Sequence, residues 1–216
     1  MNNNNINENE LFLAGVVKSF NVLYEIKGQR FYQAIIEVPR RSENTDLLPV
    51  VIPDYLMFRL QKINVGDFIA IKGEIRMRNR PRNDKHNIDV FGFALDYEII
   101  DAQTFKNIEN RNCVFLSGFV CTEPRNRVTT MTARQITDLL IANNRRHNKH
   151  YYFPVICWGH ISTFASKFSV GDKIILEGRF QSRSYHKIDD NGDTVDYSIC
   201  EISVTSIEIE NNNIAD

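Results

Sequence analysis

Apolar and polar positions alternate along most of this chain, and the pattern occurs twice. "LFLAGVV" (Leu11–Val17) and "VFLSGFV" (Val114–Val120) carry the same half-buried strand rhythm. "LPVVIPDYLMFRLQKINVGDFIAIKGEIRMR" (Leu48–Arg78) lies over "FPVICWGHISTFASKFSVGDKIILEGRFQSR" (Phe153–Arg183) without a gap. Pro49 then falls on Pro154, Gly66-Asp67 on Gly171-Asp172, Gly73 on Gly178 and Arg78 on Arg183. Each copy spans about 100 residues, which is domain size and too long for a solenoid repeat. "DAQTFKNIENRN" (Asp101–Asn112) is polar, lacks strand alternation and reads as the join. The expected organisation is an N-terminal tail over 1–9, a first domain over 10–101, a linker over 102–112, a second domain over 113–210 and a tail over 211–216. The Asn-rich ends read as flexible tails.

The second copy predicts the elements of both. "VFLSGFVC", "RQITDLLIANN" and "YYFPVICW" read as three strands. "HISTFASKF" has helical spacing, with Ile161, Phe164, Ala165 and Phe168 expected on the core side. A Gly171-Asp172 turn leads to "KIILEGRFQSRSY", a long strand interrupted by Gly178, and "TVDYSICEISVTSIEIE" closes the set. Pro154 removes a ladder donor, as does Pro49 in the other copy, so an edge or bulge is expected at both. Five strands with a helix between the third and fourth is the layout of the OB-fold, a small Greek-key barrel. A mid-strand glycine in both copies suits a strand that bends to serve both sides of a barrel. The predicted fold is therefore all-β: two tandem OB-folds, each a five-stranded barrel with a short helix between strands 3 and 4.

Composition changes this picture in one respect. The chain has 216 residues, 43% of them apolar, which suffices for packed cores, and its net charge is −1. That balance hides an asymmetry. Between Arg125 and Lys187 there are eleven Lys and Arg against three acids, Asp138, Asp172 and Glu177; after Lys187 there are eight acids and no Lys or Arg. A basic face with an acidic remainder binds polyanions at near-zero net charge. Cys113, Cys121, Cys157 and Cys200 form no C-x-x-C pair, which points to packing in a reducing cytosol. The polar start MNNNNINENE predicts no secretory leader, no apolar run reaches transmembrane length, and a cytoplasmic protein is expected. The five His are scattered, and there is no P-loop, nucleophile elbow or H-E-x-x-H. No catalysis, cofactor or metal is expected. "DDNGD" (Asp189–Asp193) lacks the Glu and spacing of a calcium loop and reads as a hairpin turn.

Residues two apart on a strand share a face. Tyr152, Pro154, Ile156 and Trp158 form one row, and Tyr151, Phe153, Val155 and Cys157 the other. Arg179, Gln181, Arg183 and Tyr185 share a face, opposite Ile174, Leu176, Gly178, Phe180 and Ser182, which makes Phe180 a core residue. Stacking aromatics beside cations are what an OB barrel offers a single strand. The candidates are Tyr152, Trp158 and Tyr185, with Arg179 and Arg183 beside them. The loop "NNRRHNKH" adds Arg145, Arg146 and Lys149 for phosphates and His147 for stacking. The competing readings are a core Trp158, a loop-edge Tyr185 and a solvated basic loop.

At "LLIANNRR", "YYFPVICWG", "FASKFSVGDKIILEGRFQSRSY" and "SICEISVTSIE" the second half resembles the bacterial single-stranded DNA-binding protein family. More narrowly, the chain is similar to the tandem-OB members of low-GC Gram-positive bacteria. The resemblance implies OB-folds, sequence-independent binding of single-stranded DNA, no catalysis, and work in replication, recombination or repair. It puts the family's stacking aromatics on Tyr152, Trp158 and Tyr185, and a fourth on His147, where an aromatic is usual. It implies homo-oligomers in which a dimer supplies four OB-folds, with replication or repair proteins as further partners. The chain departs from the family in ending "IEIENNNIAD", without the hydrophobic tip that recruits partner enzymes. The first copy has Leu47, Pro53 and Arg80 where the second has the three aromatics, and keeps a basic strip of Lys72, Arg76, Arg78, Arg80 and Arg82. It is expected to guide the backbone or serve assembly. Rival readings are an OB-fold protein-interaction adaptor in a replication or conjugation complex, and a single-stranded RNA binder.

Overall fold

A computed structural model describes residues 7–40, 42, 44–59, 61–79, 88–129, 133–145, 149–188 and 194–210. The first copy forms β1 (Asn9–Ile26), β2 (Gln29–Pro39), β3 (Thr45–Pro53), α1 (Asp54–Arg59), β4 (Phe68–Asn79) and β5 (Ile88–Ile100). A second helix, α2 (Ala102–Asn107), follows within the polar join, and the Asp101 carboxylate caps it by accepting the N–H groups of Gln103 and Thr104. Those bonds hold the Asp101 carboxyl below its ordinary pKa, Thr104 contributing most. The second copy forms β6 (Asn112–Val120), β7 (Arg125–Val128), β8 (Gln135–Arg145), β9 (Lys149–Trp158), α3 (Gly159–Ala165), β10 (Lys173–Ile188) and β11 (Thr194–Ile209). β7 is an additional short strand beyond the five expected.

The pairings close each copy into the same barrel. In the first, β2 pairs antiparallel with β1 and β3, β4 pairs with β1 and β5, and a two-residue parallel pairing of β3 with β5 completes the circuit. In the second, β8 pairs with β6 and β9, β10 with β6 and β11, and β9 runs parallel to β11 over Val155 and Ile156. Both are OB barrels. Each proline lies in an antiparallel ladder on one side, Pro49 opposite Ile35 and Pro154 opposite Leu140. On the other side the parallel pairing starts one residue later, at Val50 and Val155. Neither proline sits on an edge strand or at a bulge; each lies just outside the short parallel pairing, where its strand has a partner on one side alone.

The repeat extends to single hydrogen bonds. Gly66 N–H donates to the Val17 carbonyl at 2.8 Å, and Gly171 N–H to that of Val120 at 2.9 Å. Val17 and Val120 each return a bond, at 3.0 Å, to the carbonyls of Asp67 and Asp172. The Asp67 and Asp172 carboxylates accept the N–H of Asn64 and Ser169, both at 2.8 Å. These turns need glycine, because φ is +96° at Gly66 and +97° at Gly171. A side chain at Gly178 would meet the Ser203 carbonyl, and one at Gly73 that of Phe93. The mid-strand glycines therefore serve close strand approach inside each barrel.

The chain divides into two compact units that do not follow the repeat boundary throughout. One contains Val114–Arg179, residues 201–210 and residues 7–10. Its core includes Leu116, Ile136, Ile141 and Phe153 at 0–1% exposure. Residues 7–9 lie against β6 and β8: Ser117 N–H donates to the Glu8 carbonyl, and the buried Asn143 amide donates to the carbonyls of Glu8 and Ser117. The other unit contains Leu11–Cys113 and Phe180–Cys200, and its core includes Leu13, Ile36, Leu48, Ile69, Ile71 and Phe180. Phe164 departs from expectation: it is 44% exposed. The buried positions of α3 are Ser162 and Ala165, because Ser162 bonds Thr137 on β8, and this sets which face turns inward. Phe164 then packs edge-on against Phe168 from outside.

Candidate nucleic-acid interface

The site on the second barrel starts from strand parity in β9. Phe153, Val155 and Cys157 are buried, while Tyr152 is exposed and Pro154 and Trp158 are half-buried on the alternate row. Ile156 is the exception on that row, at 3% exposure. It is paired on both sides, with Asp138 of β8 and Ser203 of β11, so the sheet closes over it. Trp158 ends β9 in extended conformation (φ −118°, ψ 147°) and stands at the N-cap of α3. Gly159 turns the chain there with φ +57°.

β8 and β9 bring the cations to this row. Arg145 pairs with Lys149 across the turn, and Tyr152 with Ala142. The Arg145 guanidinium lies 5.9 Å from the centre of the Tyr151 ring, and that ring lies 5.9 Å from Phe153. Tyr151, assigned by parity to the inner row, is half-buried and orients Arg145. Lys149 is exposed, and among the described residues no carboxylate pairs with it. Arg179 is half-buried on β10, with β11 between it and β9. Arg183 is exposed and belongs to the unit of the first barrel. Tyr185 lies in β10, but its side chain is outside the described residues, as are Arg146, His147, Arg80 and the Asp189–Asp193 turn.

Two basic residues of the second copy are committed to structure. Arg127 binds Asp138 in bidentate fashion at 2.7 and 3.0 Å, which raises its pKa, and Lys173 binds Glu210 at 2.7 Å. In the first copy two residues of the expected basic strip are similarly engaged; Lys72 is exposed, and Arg80 and Arg82 lie outside the described residues. Arg76 bonds the buried Glu74 at 2.7 Å and covers the Phe93 ring at 3.2 Å. Arg78 bonds Asp89 at 3.1 Å and lies 5.9 Å from the Phe91 ring.

The face of the first barrel corresponding to the Tyr152 row is partly occupied, although Leu47 itself stays 49% exposed. Arg40 forms two bonds to Asp46, at 2.9 and 2.6 Å, and Asp46 is fully buried. Arg40 also donates to the Ser182 carbonyl at 2.8 Å, and Ser182 N–H donates to Asp46 at 2.9 Å. Leu47, the counterpart of Tyr152, gives its N–H to the Ser182 hydroxyl at 3.1 Å. A cavity of about 570 Å³ remains there, lined by Leu47, Pro49, Arg78 and Phe91 and by Ser182, Ser198 and Cys200. The Arg40–Asp46–Ser182 cluster carries no motif that a sequence reading would find.

No group of metal-ligating side chains occurs among the described residues, and no described helix is long and apolar enough to cross a membrane. Burial pushes the Cys157 thiol up to about 12, with Asp138 adding to the effect, so it is an inert core group.

The fold and this face define an OB-fold protein with two barrels. Residues 111–209 match the model of the single-strand binding protein family. Among solved structures it is similar to the wild-type single-stranded DNA binding protein from Thermus aquaticus, at 16% identity and a TM-score of 0.76 over 98% of this chain and 97% of that one. A deletion mutant of the same Thermus protein matches at 16% identity and a TM-score of 0.73, covering 96% and 97%. At that identity the likeness establishes the fold. No protein of curated function matches the chain by sequence.

Proposed function

We propose that this protein binds single-stranded DNA without reading its sequence, chiefly through the second barrel, and protects it during replication, recombination or repair. The observation that carries this reading is the β9 row: Tyr152 exposed and Trp158 half-buried, opposite a fully buried Phe153–Val155–Cys157 row, with Arg145 and Lys149 at its end. Every base has a π-face, so such a row binds any sequence, while cations follow the backbone. The match of residues 111–209 to the single-strand binding protein family supports it, as does likeness to a Thermus protein described as a single-stranded DNA binder. Tyr185, Arg179, Arg183, Arg146 and His147 complete the proposed path. The protein acts without catalysis, in the cytoplasm, with a dimer supplying four barrels. The repeat supports domains over 10–101 and 113–210.

The test is a titration with oligo(dT) at several salt concentrations, read by the fluorescence of Trp158, the one Trp in the chain. Quenching and an affinity that falls steeply with salt are expected. No binding at low salt would leave the adaptor reading in place. Equal competition by oligo(U) would extend the substrate to RNA.

A further inference from the structure

The first barrel carries an aromatic group that the second lacks. Its β1–β2 hairpin, "FNVLYEIKGQRFY", runs to a two-residue turn at Lys27 and Gly28, both with positive φ, which is the tight primed turn matched to strand twist. The corresponding stretch of the second copy, "RNRVTTMTARQIT", contains no aromatic residue. On the hairpin, Phe20 and Tyr32 stack at 4.8 Å with an interplanar angle of 4°. Phe58 of α1 faces them across a groove of about 720 Å³ and is 86% exposed. Met57 and Ile63 complete its apolar lining.

Charge decides what fits. Two carboxylates lie at the rim: Glu25 pairs with the Arg30 guanidinium at 3.1 Å, while Asp54 accepts only the backbone N–H of Arg30, at 3.0 Å, and keeps its charge. Arg30 is held cationic by Glu25 first and by Tyr32 next. Lys62 at the rim and Lys27 at the hairpin tip are exposed, and among the described residues neither pairs with a carboxylate. Arg30, Lys62 and Lys27 thus outnumber the two carboxylates by one, and the groove joins apolar walls to a small positive excess, in a volume suited to a small ligand. Flat walls with cations at the rim fit a base with its phosphate.

We infer that this groove is an auxiliary site for the same single strand, taking a base against Phe58 and the Phe20–Tyr32 pair while Lys62 and Lys27 hold its phosphates. The inference rests on the single-stranded DNA reading. It gives the first barrel a contact point on its hairpin end, apart from the Leu47 face that lacks the aromatic row.

The test uses the full chain with two lengths of oligo(dT): one no longer than a single barrel's site, about 16 nucleotides at most, and one about twice that. Phe58→Ala removes an exposed ring and leaves the core intact. It is expected to weaken the long oligomer by about 5-fold or more, and the short one little. Lys62→Ala is expected to lower the salt slope for the long oligomer by about 0.7. Cross-linking of an iodouracil-substituted long oligomer should label Phe58, Tyr32 or Phe20. If the wild type binds both lengths, and neither substitution changes affinity or slope and no label reaches the hairpin, the groove inference is overturned while the DNA reading stands. If the wild type binds neither length, the DNA reading fails and the inference with it.

Discussion

The two barrels share topology, turn hydrogen bonds and glycine positions, yet use the same outer face in opposite ways. In the second, the β9 row presents Tyr152 and Trp158. In the first, the corresponding β3 row presents Leu47 and a buried Pro53, and Ser182 of the β10–β11 hairpin lies against it. Asp46 occupies the position of Tyr151 and is spent on Arg40 and Ser182. A duplicated fold retains what closes the barrel. The outer face contributes little to closure, so the two copies can carry different residues there: an aromatic row in one, and an Arg40–Asp46–Ser182 cluster beside an exposed Leu47 in the other.

The comparison breaks most visibly at Asp46. Asp46→Ala leaves Arg40 facing a cavity and strips Ser182 of its acceptor. Breaking a buried ion pair costs roughly 3–5 kcal/mol, and the partial exposure of Arg40 places the loss near the lower end. A thermal melt should show a large drop. Tyr151→Ala, at the matched position of the second barrel, removes a half-buried ring and should cost much less. Equal drops would mean that the two positions play equivalent structural parts.

The next effect is on affinity. Trp158→Ala should weaken single-strand binding by roughly 1–3 kcal/mol and lower stability by less than the roughly 3–5 kcal/mol of a core aromatic, because the indole is half-buried. Pro53→Ala, its counterpart, should leave affinity unchanged. A mutant pair that behaved alike in the DNA titration, or a Trp158→Ala melt as severe as a core deletion, would remove the distinction between the faces.

Much of this was legible in the residues. The ungapped repeat placed both barrels, and parity correctly put Phe153, Val155, Cys157 and Phe180 inside. Parity failed at Ile156 because burial there depends on two neighbouring strands, which the row alone does not show. Helical spacing failed at Phe164 because hydrogen bonding between Thr137 and Ser162 turns the Ser162 face of the short α3 inward. The basic strip of the first copy was visible as charge. That Glu74 and Asp89 engage Arg76 and Arg78 depends on side-chain geometry within and across β4 and β5. The bonds of Ser182 to Asp46 and Leu47 join residues more than a hundred positions apart, beyond the reach of any local pattern.

The smallest effect separates cations that are available from cations that are spent. Lys149 is exposed at the β8–β9 turn, next to the aromatic row, without a carboxylate partner among the described residues. A phosphate contact there releases counterions, so Lys149→Ala should reduce the slope of log K against log salt by about 0.7. Arg76 must leave Glu74 and the face of Phe93 before it meets a phosphate, and Arg78 must leave Asp89. Either departure exposes an anion beside the incoming backbone and cancels most of the gain. Arg76→Ala and Arg78→Ala should therefore leave the slope nearly unchanged, although Arg76→Ala should lower the melting temperature by stranding the buried Glu74. The measurement is a salt titration of the three mutants against one oligo(dT). A slope lowered equally by all three would show that the strand runs along β4 of the first barrel, and the two faces would then be one continuous path.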